Sequence, residues 1–298
     1  MNGDPGPLAA FEAHRGLLFS IAYRMLGSVA DAEDAVQEAF IRWQRASASD
    51  IRSPKAFLVT IVSRLCINQL QSARAQRESY VGEWLPEPLV TEPGRDAPEI
   101  LQVDESVSMA LLLLLERLTP AERAVFLLHE VFDYTHGEIA KALDFSEANC
   151  RQLLRRAQQH VRVARPRFEA PAREGVEHRA LLDRFYQAAA GGDMDRLIAL
   201  LSSDVVMHTD GGGKAAALVL PIHGAGKVAR AAVHGLRRLA SLNVLQRTVE
   251  INGRPGIVSY QNGRPHSVFT VEARDGRITA IYIVTNPDKL SHLPPPPS

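Results

Sequence analysis

The chain has 298 residues, enough for about two domains at ~150 residues each; 46% hydrophobic and 23% charged residues exclude collagen-like, coiled-coil and disordered classes. Its 34 Lys and Arg balance 34 Asp and Glu, so a polyanionic partner has to be met by local rather than overall charge. Two distant cysteines, Cys66 and Cys150, exclude a disulfide framework and a four-ligand zinc site.

From Leu8 to about Arg77 apolar residues recur at threes and fours, predicting three or four helices. Residues 31–43 form one of them, with Ala32, Ala35, Val36, Ala39, Phe40 and Trp43 inward. Asp34, Gln37, Glu38 and Ile41 follow i, i+3, i+4, i+7 on the opposite face, two carboxylates beside one apolar side chain. That stripe suits a protein partner, although acids near a helix start also complement its dipole. Pro54 opens the next helix, with Phe57, Leu58, Ile61, Leu65 and Leu70 inward. Thr60, Ser63, Arg64, Asn68, Gln71, Arg74 and Arg77 stand outside, polar and basic without acids, as a nucleic-acid backbone requires. Cys66 reads as a small core residue.

Residues 79–103, rich in Pro and Gly, run for about 25 positions, longer than the ~12–15 typical of loops inside a domain; they read as an extended linker. Met109 to Leu115 is the longest apolar run and is far short of the ~20 residues of a membrane span. With no leader-like N-terminus, the expected location is cytoplasmic. A second helical domain over 104–168 opens on Thr119-Pro120 with Glu122, a capping box with proline at N1. Thr135 with Glu138 starts a short helix, Asp144 turns the chain in place of glycine, and a further helix begins at Ser146: a helix-turn-helix. Arg151, Arg155, Arg156, Arg162, Arg165 and Arg167 follow, with no acid between Ala148 and Phe168. Glu147, Asn149, Arg151 and Gln152 are therefore candidates for base contacts, and Arg155 and Arg156 for phosphate contacts. The alternative is a solvated basic face on a protein-binding helix pair.

After Pro166 and Pro171 come helices over 176–190 and 194–201, a strand over 205–208, a helix over 227–240, and strands over 247–251, 256–260, 267–273 and 277–284. Asn252-Gly253, Asn262-Gly263 and Asp275-Gly276 mark three hairpins. The order ααβαβββ over 174–290 predicts an α+β cone, a curved antiparallel sheet on helices, followed by a Pro-rich tail at 291–298. The fold class is thus multidomain, two all-α domains followed by this cone.

Gly213-Lys214 and Gly226-Lys227 lack the Ser or Thr and the first glycine of a phosphate loop, and Gly224-Ala225-Gly226 is followed by hairpins rather than a βαβ unit. No cofactor or metal is expected. His208, Asp210, His223, Tyr260 and His266 would be the acid–base candidates if the cone were an enzyme, and an apolar pocket in it would suit a small-molecule effector.

The strings DAEDAVQEAFIRW, SRLCINQLQSARAQRE and TPAERAVFLLHEVFDYTHGEIAKALDFSEANCRQLLRRA resemble an extracytoplasmic-function sigma factor of bacterial RNA polymerase over Leu8 to Val163. The rest resembles a SnoaL-like domain. WLPEPL at Trp84 to Leu89, DGGGK at Asp210 to Lys214 and NPDKL at Asn286 to Leu290 resemble the sigma-factor group with this domain fused at the C-terminus. The resemblance implies that 8–78 binds core polymerase and the −10 element, through Asp34, Gln37, Glu38 and Ile41 for polymerase and Arg64, Asn68, Gln71 and Arg74 for DNA. It implies that 104–168 reads the −35 element, and that the fused domain replaces a separate anti-sigma factor; the leading reading is a promoter-specificity subunit without catalytic activity, controlled by this domain. Trp84, Leu85, Pro86, Asp210, Gly211, Gly212, Gly213, Lys214, Asn286, Pro287, Asp288, Lys289 and Leu290 would then meet at the interface of linker and domain. Asn149-Cys150 stands where many relatives carry a small hydroxyl residue and valine. The other reading is a SnoaL-like isomerase, hydrolase or small-ligand sensor with a DNA-binding N-terminal part. The partners expected are core polymerase, promoter DNA and a possible small effector, with no membrane.

Overall fold

Side-chain caps set the helix starts of the N-terminal half. In the computed structural model, which describes residues 7–46, 51, 53–78, 80–91, 108–164 and 175–296, Ser28 accepts the Asp31 amide and opens α2 (Val29–Arg45), which follows α1 (Pro7–Leu26). Helix α3 is Pro54–Glu78 and α4 is Met109–Leu115. Thr119 and Glu122 close a capping box on α5 (Pro120–Glu130), and Thr135 and Glu138 close another on α6 (His136–Leu143). Asp144 takes the left-handed conformation, φ 60°, that turns the chain into α7 (Glu147–Ala164). Arg165 and Arg167 lie outside the described residues.

The chain divides into two compact units, Met1–Glu78, Gly94–Glu105 and Leu112–Arg165 in the first, and Ser79–Pro93, Ser106–Leu111 and Pro166–Ser298 in the second. In the first, α1 packs on α2, α3 and α5, and α3 also packs on α5 and α6. Buried Leu18, Ile21, Ala22, Leu58, Val62, Leu115 and Leu127 form its core. On α3 the buried set is Leu58, Val59, Val62, Ser63, Cys66 and Leu70. Ser63, expected outside, is thus inside, because α3 is covered by other helices on several sides rather than along one stripe. Arg24 and Arg123 are also buried. The Arg24 guanidinium lies 5.4 Å over the Phe132 ring, and Arg123 Nη1 donates to the Met25 carbonyl at 2.6 Å and to Glu116 at 2.8 Å.

In the second unit, α8 (Gly175–Gly191), α9 (Met194–Leu200) and α10 (Ala225–Ala240) lie on one face of a seven-stranded sheet. Its strands are β1 (Val90–Thr91), β2 (Leu201–Asp210), β3 (Ile222–His223), β4 (Leu245–Ile251), β5 (Arg254–Gln261), β6 (Arg264–Arg274) and β7 (Arg277–Val284). The spatial order is β1-β4-β5-β6-β7-β2-β3, with only β2 and β7 parallel. The three expected hairpins are present, and both residues of each turn have positive φ, between 51° and 74°. Leu181, Phe185, Leu197, Val228, Ile257, Val271 and Ile281 fill the space between helices and sheet. A cleft lined by Glu177, His178, Arg184, Ala273 and Gly276 opens beside α8. β1 is a further strand beyond those expected: two residues of the linker pair with Ile251 and Glu250 of β4.

Removing the Arg123 side chain would take an ion-pair partner at 2.8 Å from Glu116, only 16% exposed, and free the Met25 carbonyl. Arg123→Ala should therefore lower stability by about 3 kcal/mol, measured by urea denaturation; a loss below about 1 kcal/mol would show that the buried pair contributes no more than a surface one.

Candidate functional site

On α2, Asp34 and Gln37 are exposed and Glu38 and Ile41 half-exposed, while Ala32, Ala35, Val36, Ala39 and Trp43 are buried, so the expected stripe faces outward. Glu38 is bonded to Arg42 one turn on, at 2.7 Å. On α3, Arg64, Asn68 and Gln71 are exposed; the Arg74 and Arg77 side chains lie outside the described residues. Arg64 is engaged within the unit: its Nε–H donates to the Ala142 carbonyl of α6 at 2.8 Å. On α7, Cys150, Leu154, Ala157 and Val161 are buried and Glu147, Asn149, Arg151, Gln152, Arg155, Arg156 and Arg162 are exposed. Ser146 caps this helix by accepting the Asn149 amide.

The second constellation belongs to the cone. Asp210 ends β2, and Thr285 and Asn286, just beyond β7, both donate their backbone amides to its carbonyl at 2.7 and 3.1 Å. Its carboxylate, 0% exposed, collects four donors. Oδ1 accepts the Tyr80 hydroxyl at 2.6 Å and the Gly212 amide at 3.0 Å. Oδ2 accepts the Leu85 amide at 2.8 Å and the Lys289 ammonium at 2.7 Å. Lys289 also donates to the Leu85 carbonyl, so Asp210 and Lys289 hold both polar groups of one linker residue. The ammonium sits 4.0 Å from the Trp84 ring centroid and 5.1 Å from that of Tyr80, which places it among the π faces that stabilise a desolvated cation.

Asn286 Nδ2 donates to the Tyr80 hydroxyl at 2.8 Å while its Oδ1 accepts the Asp288 amide, capping the 3-10 turn Pro287–Leu290. Burial first, and then the hydrogen bond to Asp210, push the Tyr80 phenol far above its ordinary range, so it stays a donor. Gly212 has φ 58°, and a Cβ there would overlap the Asn286 side chain, so the loop admits glycine alone. Leu85, Pro86 and Pro88 are buried beneath this network, Leu290 with them. Lys214 and Asp288 pair at the exposed rim.

Further along, Asn252 exchanges two hydrogen bonds with Leu89, and a His292 ring nitrogen lies 3.0 Å from the Pro88 carbonyl. His208 Nδ1 lies 2.8 Å from Glu83 Oε1 and its ring stacks on Tyr282. The residues of WLPEPL, DGGGK and NPDKL thus meet around one carboxylate. Tyr80, Glu83, Asn252 and His292 complete the site and were not legible beforehand. Asn252 announces only its turn, and no spacing links residue 80 to residues 210 and 286. Of the acid–base candidates, His208 and Asp210 are both bonded to the linker, Tyr260 is buried, His266 is partly buried and His223 is exposed.

Residues 10–76 match the sigma-70 region 2 family and residues 108–161 the sigma-70 region 4 family. The ECF RNA polymerase sigma factor SigJ of Mycobacterium tuberculosis is 38% identical over 96% of this chain and 94% of its own length. The chain belongs to the extracytoplasmic-function RNA polymerase sigma factors. A second relative, the probable sigma factor SigI of the same organism, is 33% identical over 96% of this chain and 95% of its own. The crystal structure of SigJ superposes with a TM-score of 0.76 at 35% identity, covering 95% of this chain and 98% of that one. As a sigma factor the chain serves transcription initiation with core RNA polymerase at promoter DNA. Among the described residues no helix is long and apolar enough to cross a membrane.

In this sigma factor, Asp210→Asn would replace an acceptor with a donor facing Lys289 and remove the charge that balances it. The docked linker should lose about 3–5 kcal/mol. In a Trp43→Phe background, which leaves Trp84 as the reporter, its emission should move to longer wavelength and its quenching by acrylamide rise. Identical spectra with and without Asp210→Asn would contradict the assigned role.

Proposed function

We propose that this sigma factor is held inactive by its own cone through the docked linker. Residues 8–78 are the module for core polymerase and the −10 element, with Asp34, Gln37, Glu38 and Ile41 toward polymerase and Arg64, Asn68, Gln71 and Arg74 toward DNA. Residues 104–168 read the −35 element, Glu147, Asn149, Arg151 and Gln152 at base edges and Arg155 and Arg156 on phosphates. Residues 174–290 are the regulatory domain. The observation that carries this reading is the clamp on Leu85, whose amide and carbonyl are bound by Asp210 and Lys289.

Reach gives the clamp its effect. Extended at ~3.3 Å per residue, a free linker over 79–103 would stretch to about 80 Å, ample for two promoter elements. Docking of residues 80–91 removes about 40 Å of that reach. Within the first unit, the bond from Arg64 to Ala142 ties a residue assigned to the −10 element to the first helix of the helix-turn-helix, and the same guanidinium edge is not available to DNA while it lasts. Core polymerase, or a small molecule preferring the undocked form, activates by binding the open state more tightly. Asp210 and His208, the acid and the histidine best placed for proton transfer, bond to the linker instead, and no catalytic step is assigned to the cone.

In transcription assays with purified core polymerase, on promoters enriched from genomic DNA by the holoenzyme, Trp84→Ala should raise basal output severalfold. Affinity of α6–α7 for the −35 sequence should stay unchanged. Output equal to or below that of the unsubstituted protein would refute self-inhibition.

A further inference from the structure

The two halves of the chain are expected to divide their labour, DNA contacts in the helical modules and control in the cone. The cone nevertheless carries a concentration of positive charge, most of it outside the linker dock. Between Asp210 and Glu250 there is no acidic residue, while Lys214, Lys227, Arg230, Arg237, Arg238 and Arg247 all fall there, in a chain whose net charge is zero. Four of them stand on α10. Lys227, Arg230, His234, Arg237 and Arg238 are all exposed, and their spacing of three and four puts them along one side of the helix. None of Lys227, Arg230, Arg237 and Arg238 makes an ion pair among the described residues. Asp193 accepts the Arg196 amide as the N-cap of α9.

We propose that α10 is a third DNA-binding surface, which holds the phosphate backbone of duplex DNA through Lys227, Arg230, Arg237 and Arg238. The eleven steps from Lys227 to Arg238, at 1.5 Å rise each, give a row of cations about 16 Å long, and duplex DNA carries one charge per ~1.7 Å of axis, so such a row faces several phosphates at once. The helix is rigidly seated. Val228, Ala229, Ala232 and Val233 are buried in the cone core, which fixes the cations before the DNA arrives and reduces the ordering cost. The same burial argues against a lipid surface, because a membrane-bound helix needs an apolar face free to enter the bilayer. His266 reports the local field: burial first, and then the Arg238 charge, lower its pKa. Contacts of this kind carry no sequence information. They would add affinity to promoters already chosen by the helical modules, independently of whether the linker is docked.

The test uses the full chain and a random-sequence duplex of about 30 base pairs, with binding followed by anisotropy from about 50 to 200 mM salt. Replacing Lys227, Arg230, Arg237 and Arg238 together by Gln should reduce the slope of log affinity against log salt by about 0.9 per lost phosphate, two to four contacts in all. Affinity at the lowest salt should fall about 10-fold or more. Arg155→Ala with Arg156→Ala should reduce the slope separately, and the two sets should add, since they stand on different helices of different units. An unchanged thermal midpoint shows that the Gln variant is folded, as expected from exposed positions. Slope and affinity equal to those of the unsubstituted protein would overturn the proposal. So would a variant that binds the duplex normally and loses affinity for core polymerase or for vesicles of anionic lipid.

Discussion

A carboxylate and an ammonium removed from water, Asp210 and Lys289, hold the linker to the second unit. The exposures of Asp210 and Lys289 are 0% and 6%, and a pair so buried contributes little net stability, yet demands that every remaining lone pair and proton be satisfied. The demand is what organises the site. Asp210 has four donors and two of them, the Tyr80 hydroxyl and the Leu85 amide, arrive from the linker. Remote strings of sequence are brought together because one buried charge requires all of them.

The same arrangement suits a switch. When the linker departs, Asp210 keeps Lys289 and the Gly212 amide, and water replaces the donors it loses. The net worth of each exchanged hydrogen bond is about 1 kcal/mol; much of the remaining docking energy comes from burying Leu85, Pro86 and Pro88. Docked and undocked forms therefore differ by an amount that a binding partner with differential affinity is able to reverse. A fully buried apolar interface of the same size would be harder to open, and a fully exposed one would not hold.

Local chemistry made much of the fold legible. Capping boxes at Thr119 and Thr135, the left-handed Asp144 and three turns with Asn or Asp before Gly each announce a single backbone geometry, and periodicity supplied the elements between them. Features that depend on distant partners were not legible. Ser63 is buried because α3 is surrounded, Arg24 and Arg123 because Phe132, Met25 and Glu116 receive them, and β1 exists because β4 offers an open edge to Val90 and Thr91. At the dock, WLPEPL, DGGGK and NPDKL stood out through family likeness; the roles of Tyr80 and Asn252 follow only from three-dimensional proximity.

Amide hydrogen exchange over residues 80–91 tests the docking account most directly, because Leu85 and Leu89 donate their amides to Asp210 and Asn252. Protection of these amides in the free protein, lost when core polymerase and promoter DNA are added, is the predicted result. Exchange that is fast in the free protein, or protection that persists unchanged in the promoter complex, would contradict it.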